Sequence, residues 1–159
     1  MEDMLNEQVG ILTRREIEAR ILKPFYDAVV TELGEAKANE MLRGIVFDAA
    51  KKTGAEMRQR SGSDNIETFA AQWEPWFRGG ALEIEVLEQS PERWRFNVTR
   101  CCYAEMYRAL GMADLGATLS CNRDAALIEG YSDKVVLERT QTIMQGANCC
   151  DFHYQRKVE

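Results

Sequence analysis

At 159 residues, with 45% hydrophobic and 29% charged side chains, the chain has the size and balance of one folded domain able to bury a core without disulfides or metal. A net charge of -6, a pI near 5.0 and the lack of any long Lys/Arg run exclude nucleic acid as the expected partner. No apolar run approaches the roughly 20 residues a membrane-spanning helix requires, and the acidic start MEDMLNE lacks the features of a secretory signal, so a cytoplasmic protein is expected.

In chain order, Thr13 and Glu16 have the spacing of a capping box, and Ile17 and Ile21 continue an apolar stripe, which predicts a helix. Pro24 is expected to break or restart it, with Phe25, Val29, Val30 and Leu33 forming a second stripe closed by Gly34. Met41, Leu42, Ile45, Val46, Ala49 and Ala50 keep the helical period, and Lys51, Lys52, Arg58 and Arg60 suit the C-terminal end of that helix. SGSDN reads as a loop, after which Asp64 and Glu67 repeat the capping pattern before a helix carrying Ile66, Phe69, Ala70, Trp73 and Phe77. Pro75 should distort its last turn. The Trp73, Trp76 and Phe77 cluster reads as core covering a sheet, with a ligand pocket as the alternative.

From Leu82 the period changes to two. Leu82, Ile84 and Val86 alternate with glutamates, and Trp94, Phe96 and Val98 with polar residues, with a QSPE turn between, which predicts a hairpin. Two helices follow, Ala104 to Leu110 and Asp114 to Glu129, and then two strands, Lys134 to Thr142 and Cys149 to Gln155. The expected fold class is α+β: N-terminal helices followed by a four-stranded antiparallel sheet in the order ββααββ, covered by helices. It forms a single domain over 1–159, in which 1–80 is helical support and 81–159 is the α+β part carrying the candidate site.

All five cysteines and the only histidine lie in that second part. An odd number of cysteines in a reducing compartment reads as free thiols or thiolate ligands. Cys101 and Glu105 are four apart at the start of one predicted helix, and Cys121 and Asp124 three apart in the next, which puts each thiol and its carboxylate on one face. On the last strand Cys150, Phe152 and Tyr154 point to one side and Cys149, Asp151 and His153 to the other. Helices covering the first side would bring Cys101, Cys121, Cys150, Glu105 and Asp124 together as the candidate catalytic set, the alternative being cysteines that fill the core as small hydrophobes. Arg139 is either a clamp for a substrate carboxylate or an internal partner of Asp124 or Glu105. Tyr103, Thr140 and His153 complete the candidate substrate-binding set, and His153 reads alternatively as a solvent-facing strand residue. No metal site is expected, although three thiolates with Asp or His leave zinc as an alternative; Cys-x-x-Cys, HExxH, GxSxG and phosphate-loop patterns are absent.

The ordered set Cys101-x-x-x-Glu105, Gly111, Leu115-Gly116, Cys121-x-x-Asp124, Glu138-Arg139-Thr140, Thr142, Gly146 and Cys150-Asp151-Phe152 resembles the L-2-amino-thiazoline-4-carboxylic acid hydrolase family. The resemblance covers residues 97–155 closely and the helical half loosely. It implies hydrolytic opening of L-2-amino-thiazoline-4-carboxylate to N-carbamoyl-L-cysteine, a step toward cysteine. No cofactor is expected, with zinc as the alternative. Cys102 and Cys149 stand beside the pattern's cysteines where other residues are expected. The expected partner is a small-molecule substrate, with no nucleic acid and no membrane, and a homo-oligomer is left open. A looser similarity of the C-terminal Gly-x-x-x-Cys-x-Phe pattern to vinyl-reductase-type ligand-binding domains supplies the alternative, a small-molecule- or metal-binding sensor domain without catalysis.

Overall fold

The period-two segments form the hairpin their alternation requires. β1 (Leu82–Gln89) pairs antiparallel with β2 (Arg93–Cys101), closed by a turn in which Ser90 and Arg93 exchange backbone hydrogen bonds. The computed structural model of the chain describes residues 9–157, so the acidic start at residues 1–7 lies outside it. β2 also pairs with β4 (Cys150–Arg156), which pairs with β3 (Val135–Glu138), giving an antiparallel sheet of order β1-β2-β4-β3 and an α+β fold. Trp94, Phe96 and Val98 face inward beside Cys150, Phe152 and Tyr154, and the registered pair Phe96 and Phe152 stacks at 4.9 Å. Val86 does not join them: bulges on β1 turn this edge strand, and Val86 stays half-exposed.

The helical segments are α1 (Ile11–Leu33), α2 (Glu35–Ser61), α3 (Ile66–Ala71) and α4 (Glu74–Phe77), then α5 (Cys102–Ala109), α6 (Ala113–Gly116) and α7 (Asn122–Tyr131). α1 begins at Ile11 with no side-chain cap, so the expected Thr13 cap is not used, and it runs through Pro24. Pro24 and Arg20, whose carbonyl loses its partner to the ring, are both exposed, on the side of the helix open to solvent. The cap of α3 is Asn65, which accepts from the Thr68 N–H, one residue beyond the expected Asp64; Asp64 instead pairs with Lys134 at 3.0 Å. Pro75 falls at the start of α4, where proline is tolerated.

The sheet's inner face is covered by Phe69 of α3, Trp73, Met57 of α2 and Leu127, Ile128 and Tyr131 of α7. Of the two helices expected to do this, only the second does. Tyr103, Ala104 and Tyr107 of α5 are buried, and Ala104 and Tyr107 pack with Ala19 of α1 and with Leu42 and Val46 of α2 in a separate cluster. α2 and α7 cross at two glycines: a Cβ on Gly54 would stand 2.0 Å from the Leu127 carbonyl oxygen, and one on Gly130 1.9 Å from that of Lys51. Only hydrogen in place of a side chain allows this approach.

Candidate active site

Two departures from regular structure position the site. Between α6 and α7 the chain makes a π-helical turn, Ala117–Cys121, inside what the sequence reads as one helix from Asp114 to Glu129. The turn loosens the ladder of carbonyls, and two arginines take up the slack: Arg123 Nε donates to the Leu119 carbonyl at 2.8 Å and Arg139 Nη2 to the Cys121 carbonyl at 2.8 Å. The second departure shortens β3. The N–H groups of Thr140 and Gln141 donate to the Asp151 carboxylate, at 3.0 and 2.8 Å, and not to a neighbouring strand. The expected strand to Thr142 therefore ends at Glu138, and Arg139 turns inward just past its end.

The result is a cavity of about 70 Å³ between the sheet, α7 and the N-terminal helices. A single water needs roughly 10–15 Å³ on the same measure, so the space suits a small molecule. Cys101, Cys121, Cys150, Asp124, Arg139 and Tyr103 all line it. Glu105 does not: it is exposed on α5 and takes two hydrogen bonds from Arg100, at 2.9 and 3.1 Å. Thr140 is also outside, its exposed hydroxyl bonded to Asp151 at 2.6 Å, and His153 lies on the outer face of β4 opposite Arg95 and Glu138. Cys102 and Cys149 are outside as well, in contact with the Gly80 carbonyl and the Gln141 amide.

Arg139 is the internal partner of Asp124. Its Nη1 donates to the carboxylate, its Nη2 to the Cys121 carbonyl, and its guanidinium lies 5.0 Å from the centre of the Phe152 ring. Burial raises the Asp124 carboxyl above its ordinary value, with the Arg139 charge and hydrogen bond working against that rise. Burial likewise pushes the Cys101 thiol up to about 11. For Cys121, burial and then the Asp124 charge push it up to about 12, and Cys150 is raised by burial too. At neutral pH all three are thiols.

Sequence reasoning offered Trp73 and Trp76 as pocket residues only as the alternative to core, and missed the rest of the N-terminal wall and Arg123. Arg15 of α1, Thr53 of α2, Trp73 and Trp76 line the same cavity, as does Arg123 of α7. The two tryptophans thus serve as both core and pocket wall, and the indole N–H of Trp73 is buried without a hydrogen-bond partner among the described residues. Arg15 Nη1 donates to both oxygens of Glu18, at 2.9 and 2.7 Å, and Arg123 Nη2 approaches the same carboxylate at 3.6 Å. Burial, and then the neighbouring Arg15 charge, depress Arg123 to about 10. A signal for this wall was present: two adjacent arginines early in a helix oppose its dipole, which favours acidic residues there.

The family model described as L-2-amino-thiazoline-4-carboxylic acid hydrolase matches residues 14–154, from the Arg14-Arg15 pair of α1 to the end of the Cys150-Phe152-Tyr154 face. The chain belongs to this family. The match takes in the N-terminal helices from Arg14 as well as the segment from residue 97, so every residue lining the cavity except Ile11 falls inside the family's bounds. No curated protein matches significantly. Among solved structures, the chain is similar to a trafficking protein particle complex subunit 3 from Naegleria fowleri covalently bound to palmitic acid, with 13% identity, a TM-score of 0.49, and coverage of 90% of this chain and 97% of that one. It is also similar to the phenol-responsive sensory domain of the transcription activator PoxR with phenol, with 12% identity, a TM-score of 0.45, and coverage of 86% and 73%. Among the described residues no group of three or more His, Cys, Asp or Glu is arranged to hold a metal ion, and no helix is long and apolar enough to cross a membrane.

Proposed function

We propose that the chain is a hydrolase that opens a small cyclic amidine bearing a carboxylate, of the L-2-amino-thiazoline-4-carboxylate type, to an N-carbamoyl amino acid. The observation that carries this reading is the meeting of Cys101, Cys121 and Cys150 with Asp124 on one small cavity. Carbon 2 of such a ring is bonded to two nitrogens and to sulfur, and ring opening requires a nucleophile to add there while the carbon–sulfur bond breaks.

Cys121 is the thiol most closely tied to Asp124. Because burial keeps it protonated, it does not wait as a thiolate; its proton passes to Asp124 as Sγ bonds to carbon 2. The ring sulfur then leaves and takes the proton from Asp124, giving a carbamimidoyl thioester of Cys121. Water adds to the same carbon, and Cys121 departs as a thiol, leaving the urea group of the product. Substrate plus water equals product, with no oxidant or reductant involved. Arg139 orients Asp124 and fixes the Cys121 backbone, a positioning role.

The test is turnover of L-2-amino-thiazoline-4-carboxylate followed by mass spectrometry of N-carbamoyl-L-cysteine. Cys121→Ser is expected to lower kcat by about 100-fold or more. Full turnover in a variant lacking Cys101, Cys121 and Cys150 would sink the thiol mechanism and assign the attack to water. The raised thiols favour a second reading, a ligand-binding domain with inert cysteines; tight binding of cyclic amidines and thiohydantoins without turnover of any would select it.

A further inference from the structure

The inner cavity does not end at the thiols. Ile11, Arg15, Thr53, Trp76 and Arg123 also line a surface groove of about 560 Å³, and these five residues are common to both spaces, while the three thiols line only the inner one. Arg15 and Arg123 therefore stand where the groove meets the cavity, and Glu18 touches them from the groove side. Two guanidinium groups share one carboxylate, so the junction carries a net positive charge. Both side chains are largely removed from water, at 12% and 18% exposure. Keeping like charges this close and this dry is unfavourable, as the depressed Arg123 reflects, and a bound anion would relieve it.

Arg139 is poorly suited to the same task. Both of its terminal nitrogens already donate, to Asp124 and to the Cys121 carbonyl, and its face covers Phe152. In Arg15, one terminal nitrogen carries both bonds to Glu18, which among the described residues leaves the rest of the planar donor fork for a carboxylate.

We infer that Arg15 and Arg123, braced by Glu18, form an anion subsite at the mouth of the cavity that holds the substrate's carboxylate and directs its ring toward Cys121. This rests on the hydrolase reading for the identity of the ring; the subsite itself calls only for a small organic acid. The carboxylate end stays at the mouth and the reacting carbon goes deeper, so a ligand lacking the carboxylate loses both its anchor and its orientation. A site built to hold a polar group rejects an analogue without it far more strongly than an apolar wall rejects a change of size.

The experiment compares L-2-amino-thiazoline-4-carboxylate with 2-amino-2-thiazoline, the same ring without the carboxylate. Dissociation constants by calorimetry, with Cys121→Ser present to prevent turnover, and kcat/KM in otherwise native protein are measured for Arg15→Gln, Arg123→Gln, Arg123→Lys and Arg139→Gln. The acid is expected to bind about 100-fold more tightly than the amine. That preference should fall to within a few-fold in Arg15→Gln and Arg123→Gln, recover partly in Arg123→Lys, and persist in Arg139→Gln. Binding of 2-amino-2-thiazoline no weaker than in the native chain, together with an unaltered far-UV circular dichroism spectrum, shows that Arg15→Gln and Arg123→Gln are folded. A preference that survives both Gln variants, or one lost only in Arg139→Gln, overturns the subsite. Turnover of both compounds with equal efficiency overturns the subsite and leaves the hydrolase reading intact. An arginine-dependent preference with no turnover of either compound supports the subsite and removes the hydrolase reading. Failure of the wild-type chain to bind either compound overturns the subsite.

Discussion

The two halves of the chain contribute to the cavity in opposite ways. Residues from 98 onward supply the candidate reactive groups: three thiols, Asp124 and the arginine that holds it. The helices before residue 80 supply enclosure and charge: Ile11, Arg15, Thr53, Trp73 and Trp76. Reactive side chains cluster in sequence because β2 and β4 are neighbours in the sheet and α7 packs on its inner face, but a cavity needs a second wall, and that wall comes from a different part of the chain. The N-terminal helices therefore form one wall of the cavity as well as supporting the sheet. The halves approach most tightly at the glycine crossing of α2 and α7. Gly130→Ala is expected to produce the largest effect of any single change here, because its new methyl would meet the Lys51 carbonyl at 1.9 Å, and that contact is backbone and cannot swing away. A loss of more than about 4 kcal/mol in denaturant unfolding is anticipated, with Gly54→Ala comparable. Near-neutral stability in either would mean that α7 tolerates displacement from α2 and that the hydrophobic clusters hold the halves without the close crossing.

Much of the C-terminal half was legible because strand alternation is a local signal of period two. It grouped Trp94, Phe96 and Val98 on one side of β2, and Cys150, Phe152 and Tyr154 on one side of β4 with Cys149 and His153 on the other; the β2–β4 register that sets the first two groups side by side in the core comes from the structure. Departures from regular periodicity were not legible. The π turn before Asn122 gives no periodic signal, yet it creates the carbonyls that Arg123 and Arg139 cover. The early end of β3 depends on a carboxylate eleven residues on, at Asp151, capturing the Thr140 N–H. Arg15 joins the site only through the packing of α1 across the chain, which no spacing within a helix encodes.

The enclosure supplied by the N-terminal wall also governs the thiols, and pH sharpens that contrast. Cys101 has an ordinary value of 9.0 and is held at about 11 by burial, and Cys121 rises from 9.0 to about 12. Above pH 9 the unfolded chain loses these protons while the folded chain keeps them, so the folded state binds more protons and stability falls as pH rises. The contribution is complete below about pH 9 and is lost progressively up to about pH 11 for Cys101 and 12 for Cys121. Thermal unfolding scanned across this window should show a falling Tm. Alkylation gives the residue-level check: at pH 8, Cys101 should carry about 100-fold less thiolate than an unperturbed cysteine, and its labelling should climb about tenfold per pH unit up to about 11. Rapid labelling of Cys101 and Cys121 at neutral pH would show that the N-terminal wall does not shield the cavity.

Glu105 and Asp124 make the smallest and sharpest form of the comparison, since helical spacing alone gives each a thiol partner. Topology separates them. Asp124 lies on α7, whose inner face meets the sheet, whereas Glu105 lies on the outer side of α5, where Arg100 takes it up. That bond holds the Glu105 carboxyl below its ordinary range, but both partners are half-exposed and solvent screens their attraction. Glu105→Gln is accordingly expected to leave Tm within about 1 °C and turnover within about twofold of wild type. Asp124→Asn, measured beside it, should abolish turnover on the same reading. A Glu105→Gln variant that loses activity would bring α5 back into the chemistry and would mean that a carboxylate outside the cavity reaches the reacting atoms.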